Sequence, residues 1–217
     1  MNIPNSQSIL NSSQKGLVVE HLQCIRDDRV LFEDLNFSLS EGQLLQIEGH
    51  NGSGKTSLLR ILCGLTLPTE GTVYWNNQDI EEIQSSYWAT LAYIGHTHGI
   101  KAELTALENL AMARALATTP TSVDLADALA QVGLYGFEDV PTRSLSAGQQ
   151  RRVALARLLV SEAQLWILDE PFTALDKTAI KMVEELLDAH AKQGGMAVLT
   201  SHHTVNCTHT TILRLSN

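Results

Sequence analysis

No apolar run in the chain is long enough to cross a bilayer, since every hydrophobic stretch is interrupted by charge, glycine or polar side chains well short of the roughly 18 residues a spanning helix needs. A membrane role would therefore have to pass through a partner. The first sixteen residues, rich in Asn, Ser and Gln, lack the basic start and apolar centre of a secretory signal. They read as a disordered tail, and the expected location is cytosolic. Basic charge is also scarce: 15 Lys and Arg stand against 24 Asp and Glu, giving a net charge of −9 and a pI of about 5.3. No broad basic face is available to neutralise phosphates, so a nucleic-acid partner is not expected. The three cysteines, Cys24, Cys63 and Cys207, lie far apart and form no CxxC pair, which fits reduced thiols used for packing. No internal repeat is evident. With 217 residues, 44% of them hydrophobic, the chain can bury one substantial core, or a core with a small subdomain.

What the chain does have is a glycine-rich loop in a telling context. Gly49, His50, Asn51, Gly52, Ser53, Gly54, Lys55 and Thr56, with Ser57 behind them, fit the pattern GxxxxGK[ST]. An apolar strand, Leu44-Leu45-Gln46-Ile47, precedes the loop. A helical pattern from Ser57 to a stop at Gly64 follows it. Glycines let such a loop curl around an anion while backbone N–H groups and a helix N-terminus point at phosphate oxygens. Lys55 is placed to reach the β- and γ-phosphates and Thr56 to complete a Mg²⁺ shell, so the expected ligands are ATP and Mg²⁺.

Residues 17–24 and 30–39 predict two strands joined by the charged turn Arg26-Asp27-Asp28, an antiparallel beginning. A short strand is predicted over 72–75, then a polar acidic segment, then an apolar strand over 91–94. Thr105-Ala106-Leu107-Glu108 is a capping box that opens a helix to about Ala117, and a second helix runs over about 122–132 before Gly133. A third starts near Ala147. An apolar strand over 165–168, a long helix over 177–193 and another apolar strand over 196–200 complete the pattern. Strands alternating with helices predict an α/β fold with a mostly parallel sheet covered on both faces. An N-terminal antiparallel β subdomain and an inserted helical subdomain at about 88–160 lie within a single domain spanning 17–217.

Two further elements carry chemistry. Leu165-Trp166-Ile167-Leu168-Asp169-Glu170 delivers two carboxylates at the end of a core strand. Asp169 is placed to hold Mg²⁺, and Glu170 to accept a proton from an attacking water. Acidic pairs after strands also commonly cap a following helix, and the preceding phosphate loop is what favours the catalytic reading. Before them, Leu145-Ser146-Ala147-Gly148-Gln149 opens a helix whose N-terminus is a second anion site.

With these motifs the sequence resembles the ATP-binding cassette family, whose LSGGQ signature appears here as LSAGQ, one small residue changed. Pro171-Phe172-Thr173-Ala174-Leu175-Asp176 matches that family's D-loop, and His202 its switch histidine. The resemblance implies a phosphate-loop NTPase core whose two copies sandwich two ATP molecules head to tail. Ser146, Gly148 and Gln149 of one copy would then meet the γ-phosphate held by Lys55 of the other. His202 would sense the γ-phosphate and orient water, with Lys55 and Glu170 the other catalytic groups, and Asp176 would link the two sites.

The chain departs from the family in two places. A glutamine that usually contacts Mg²⁺ after the strand following the phosphate loop is absent, and His96 stands at its position. A neutral imidazole can coordinate a cation or accept from water. Where an aromatic residue usually stacks on adenine, the chain offers Arg26, whose guanidinium plane can also stack on a base. Cys24-Ile25-Arg26-Asp27-Asp28-Arg29, IGHTHGIKAELTALENL from Ile94 and FEDVPTRSLSAGQQRRVALARL from Phe137 resemble the branch of ATPase subunits serving cytochrome c maturation. That branch implies a second ATPase copy and integral membrane subunits of a haem-handling complex as partners. It also implies a peripheral place on the cytoplasmic side of the inner membrane. His96 and His98 invite a haem-ligand reading, but no apolar haem pocket is evident in the sequence around them, and direct haem binding is not expected. A cassette for another transported substrate, or a soluble cassette ATPase in cluster assembly, stays open as an alternative.

Overall fold

A computed structural model describes residues 15–215. The chain starts with β1 (Gly16–Arg26) and β2 (Arg29–Ser40), joined at Asp27 and Asp28, both of which take positive φ, the conformation a two-residue hairpin of right-handed twist requires. β3 (Leu44–Glu48) leads into the glycine loop and α1 (Lys55–Leu62). β4 (Glu70–Trp75) and the two-residue β5 (Gln78–Asp79) complete an antiparallel sheet of order β2-β1-β4-β5. Pairing of Gly16 with Ser40 starts β1 one residue before the expected domain boundary; residues 1–14 of the expected tail lie outside the described residues.

The predicted acidic segment contains a helix that its composition does not announce. α2 (Gln84–Thr90) buries Tyr87 completely, and the Tyr87 hydroxyl and Trp88 indole donate to the carbonyls of Leu62 and Cys63. Those are carbonyls at the C-terminal end of α1, where no helical N–H reaches them. β6 (Leu91–Ile94) follows, then α3 (Ala106–Leu116) with the expected capping box at Thr105 and Glu108, and α4 (Leu125–Gln131) capped by Asp124. α5 (Ala147–Ala156), β7 (Leu165–Asp169), α6 (Lys177–Lys192), β8 (Met196–Thr200) and β9 (Thr210–Arg214) complete the chain.

Five parallel strands in the order β6-β7-β8-β3-β9 form the central sheet. β7 and β8 are buried along their whole length, as continuous apolar runs in a doubly covered parallel sheet should be. Their side chains alternate between two cores. Leu165, Ile167, Met196 and Val198 pack with α1 and the antiparallel sheet, while Trp166, Leu168, Ala197 and Leu199 pack with Val183 and Leu187 of α6. A third core, from Ala106 and Leu110 through Leu129 to Val153 and Val160, holds the helical unit together. β6 belongs to the central sheet, so that core begins at α3.

Candidate active site

The parallel strands bring their carboxyl ends to one edge, and the chemistry-bearing residues collect there. Asp169 pairs in register with Thr200, and Thr200 with Ile47, one residue from the end of β3. The crevice beyond such strand ends is where open α/β sheets bind ligands. A cleft of about 540 Å³ opens over it, lined by residues that include Gly52, Gly54, Lys55, Thr56, His96, Asp169, Glu170 and His202.

The loop before α1 is shaped to receive an anion. Gly52 and Gly54 take φ of +84° and +96°, which a side chain would strain, and a Cβ on Gly54 would stand 3.0 Å from Leu31. Ser53 is fully buried in the loop, and its hydroxyl has no partner among the described residues. Lys55, 9% exposed, folds back to donate to the carbonyls of Gly49 (2.7 Å) and His50 (3.3 Å), so its ammonium is held inside the loop. Three donors on an ammonium leave one for a phosphate oxygen. Asn51 and Ser57 line the cleft as well.

Beneath the loop lies a short hydrogen-bond relay. Asp169, 3% exposed, accepts from Thr56 Oγ1 at 3.0 Å and from Thr200 Oγ1 at 2.8 Å, and the Thr200 hydroxyl in turn accepts from the backbone N–H of Glu170 at 2.9 Å. Glu170 itself sits at φ +51°, a left-handed conformation that costs a non-glycine residue roughly 1–2 kcal/mol and persists only where neighbours impose it. His202 Nε2 stands 3.6 Å from Glu170 Oε1, with the imidazole well exposed. The adjacent His203 turns away to Glu184 and lies edge-on to Phe172, so only the first of the pair faces the cleft.

The donor set suits Mg²⁺. A threonine hydroxyl and one aspartate oxygen converge, both hard oxygen ligands, and among the described residues no group of three His, Cys, Asp or Glu could cage an ion unaided. Mg²⁺ is commonly bound this way, by one or two protein oxygens with the remaining positions left to water and substrate phosphates. His96 is an exposed lining residue of the same cleft. Its loop is fixed by α5 and the residue that caps the end of that helix: Arg151 donates to the Gly95 carbonyl (3.0 Å), and Arg157 to those of His98 (3.3 Å) and Gly99 (3.2 Å). Burial holds the His98 imidazole below its usual value and the Arg151 charge adds to this, against a hydrogen bond that the ring donates to Gln150.

Beyond the glycine loop itself, five expected site residues, Arg26, Ser146, Gly148, Gln149 and Asp176, stand outside this cleft. Ser146 is the N-cap of α5 in a reciprocal capping box with Gln149 (2.8 and 3.2 Å) and faces outward. Gly148 packs so closely on the D-loop that a Cβ would come within 2.6 Å of the Ala174 carbonyl. Asp176 caps α6 by accepting from Ala179 N at 2.8 Å, a structural use the sequence pattern did not announce. Arg26 donates to the carbonyls of Ile25 (3.2 Å) and Leu67 (3.1 Å) at the end of the β1–β2 hairpin. Two positions bonded to the site's backbone and to Asp169 carry no motif in the sequence, Thr200 and Arg151. A hydroxyl closing the buried run MAVLT was a signal for the first. The second shares the i, i+4, i+7 face of Leu155 and Leu158, where a charge is out of place.

Residues 32–173 match the family described as ABC transporter. The chain is 52% identical over 210 residues to the cytochrome c biogenesis ATP-binding export protein CcmA of Nitrosococcus oceani, covering 97% of this chain and 96% of that one. Identity to the protein of the same name from Methylococcus capsulatus is 55% over 195 residues, covering 89% and 94%. A solved dimeric ATP-binding cassette in a post-hydrolysis state, bound to ADP and Pi, superposes with a TM-score of 0.73 at 23% identity, covering 86% of this chain and 88% of that one. The chain belongs to the ABC transporter family of ATP-binding proteins and, within it, groups with the cytochrome c biogenesis ATP-binding export proteins.

Proposed function

We propose that the chain is the ATP-hydrolysing subunit of a membrane complex for cytochrome c biogenesis and works as a head-to-tail homodimer. The observation that carries the chemistry is the single cleft in which Lys55, Thr56, Asp169, Glu170 and His202 converge. Backbone N–H groups of Gly49 to Thr56, with the α1 N-terminus and Lys55, hold the phosphates. Thr56 and Asp169 would hold Mg²⁺, which when bound would neutralise charge on the phosphate oxygens, and His96, lining the same cleft, would serve that ion in place of the glutamine. Glu170 accepts the proton of the attacking water, and His202 keeps that carboxylate and water aligned. Arg26 offers its guanidinium plane to the adenine.

The outward-facing Ser146, with the half-buried Gly148 and Gln149 beside it, leaves half of an anion site with no phosphate of its own chain to bind. A second copy supplies one, and Asp176 lies at the junction of the two sites. The solved cassette bound to ADP and Pi is itself a dimer, which supports this arrangement. No described helix is long and apolar enough to cross a membrane, so export needs integral subunits. We place their contact at the groove between α2 and α3, about 230 Å³, where Trp88 (45% exposed) and Leu116 (77% exposed) present apolar surface beside Tyr93 and Arg157. The chain would then be peripheral, on the cytoplasmic side of the inner membrane, and the complex would export haem or release a haem-loaded chaperone.

Expression in a bacterium deleted for its cytochrome c biogenesis cassette tests the reading. The wild-type chain should restore haem-stained c-type cytochromes and Lys55→Ala should not. Failure to restore them by a chain that hydrolyses ATP and co-purifies with the membrane subunits would reassign the cargo.

A further inference from the structure

The general base has a backbone that needs holding, and one buried side chain reaches both sides of it. Arg151 of α5 is 2% exposed, the largest fully buried side chain among the described residues. Its guanidinium donates through Nη2 to the carbonyl of Asp169 (2.6 Å), through Nε to that of Pro171 (3.3 Å) and through Nη1 to that of Gly95 (3.0 Å). Asp169 and Pro171 flank Glu170, the residue at φ +51°. The Glu170 N–H is taken by Thr200. Donors on one rigid fork thus hold the peptide group before a left-handed residue and the carbonyl of the residue after it, and the third holds the residue before His96. A guanidinium suits this because its N–H directions are set by a planar frame, whereas an ammonium presents a point charge on a flexible stem.

Burying this cation is costly: desolvation pulls its pKa below the ordinary arginine value against the favourable charges of Asp169 and Glu170. An apolar residue in the same place would pack with Leu155 and Leu158 without that penalty. Arg151 also stands five residues after Ser146 on the same helix, so the outward-facing serine and the backbone of the base are connected through one short, capped element.

We propose that Arg151 is a positioning residue for hydrolysis: it sets the backbone of Glu170 and of the His96 loop and thereby ties both to the signature helix. The assignment rests on Glu170 acting as the base. Arg151→Lys and Arg151→Gln should lower kcat by about tenfold to a hundredfold, the scale on which misplacement of about 1 Å is felt, while the dissociation constant for ATP stays within about twofold. Lys, retaining the charge but not the planar fork of donors, should fall between wild type and Gln. Turnover, nucleotide affinity and thermal unfolding are measured on the full chain for both variants and for Glu170→Gln. A kcat within about twofold of wild type in both variants overturns the proposal, as does loss of turnover and affinity in proportion to lost stability. Failure of both variants to fold makes Arg151 a structural residue only and also overturns it. Normal turnover by Glu170→Gln sinks the base reading instead; an inactive Glu170→Gln beside active Arg151 variants sinks only this inference.

Discussion

The two ends of the same central strands are built on opposite terms. At the amino end of β7, Trp166 stacks flat on His190 of α6, with ring centroids 3.7 Å apart at an interplanar angle of 7°, inside the core that holds Val183, Leu187 and Leu199. Only three residues further, about 10 Å of extended chain, Asp169 starts a relay of hydroxyls and carboxylates that opens to solvent. The first region is held by apolar burial and ring stacking, and there even the Trp166 indole N–H lacks a partner among the described residues. The second contains a left-handed glutamate and a buried arginine, arrangements that store strain and desolvation cost. Stability and chemistry are thus separated along individual strands, and variants at the two ends should fail in different ways.

Trp166→Ala should show the largest effect, a loss of about 3–5 kcal/mol in unfolding free energy from the emptied core. Activity per folded molecule should stay near wild type, measured by denaturant titration beside ATP turnover. Lys55→Ala should do the reverse, weakening ATP binding by at least about a hundredfold with an almost unchanged melting temperature, because a charge-assisted contact to phosphate is lost while the core is untouched. Thr200→Val lies between the two. It leaves the Glu170 N–H and one oxygen of Asp169 unpaired, so turnover should fall about tenfold to a hundredfold and stability by about 1–3 kcal/mol, read from steady-state kinetics and melting.

Acid should reach the amino end first. Burial pushes the His190 imidazole down to about 4, so between pH 6.5 and 4 the unfolded chain binds a proton that the folded chain does not. Stability therefore falls as pH drops through that window, by about 2 kcal/mol at pH 5, and stops falling from this cause once the folded ring also protonates. His190→Phe should keep the stack on Trp166 and flatten that acid limb in urea titrations at pH 7 and pH 5.

Legibility in the sequence follows the same division. The glycine loop, the acidic end of β7 and the signature at Ser146 were readable because each is a contiguous pattern whose chemistry is local. The parallel core was readable from its apolar runs. α2 was not, since its seven residues, four of them Gln, Ser or Thr, have no clear helical period; Tyr87 and Trp88 tie it to the end of α1 by contacts across 25 positions. β9 was missed because an edge strand with no fully buried residue carries no continuous apolar run. Arg151 and Thr200 were silent for a different reason. Their partners are backbone groups 18 to 56 residues away along the chain, and with Asp169 Oδ1 they become visible only when the strands align.

Sedimentation of the Glu170→Gln protein with and without ATP, alongside its turnover, tests the assignment of chemistry to the carboxyl end most directly. The expected result is a species of twice the 23.8 kDa chain mass with ATP and of the single mass without it. Turnover should be reduced at least about a hundredfold with ATP affinity preserved. Wild-type turnover, or a protein that stays monomeric with ATP saturating, would contradict the account.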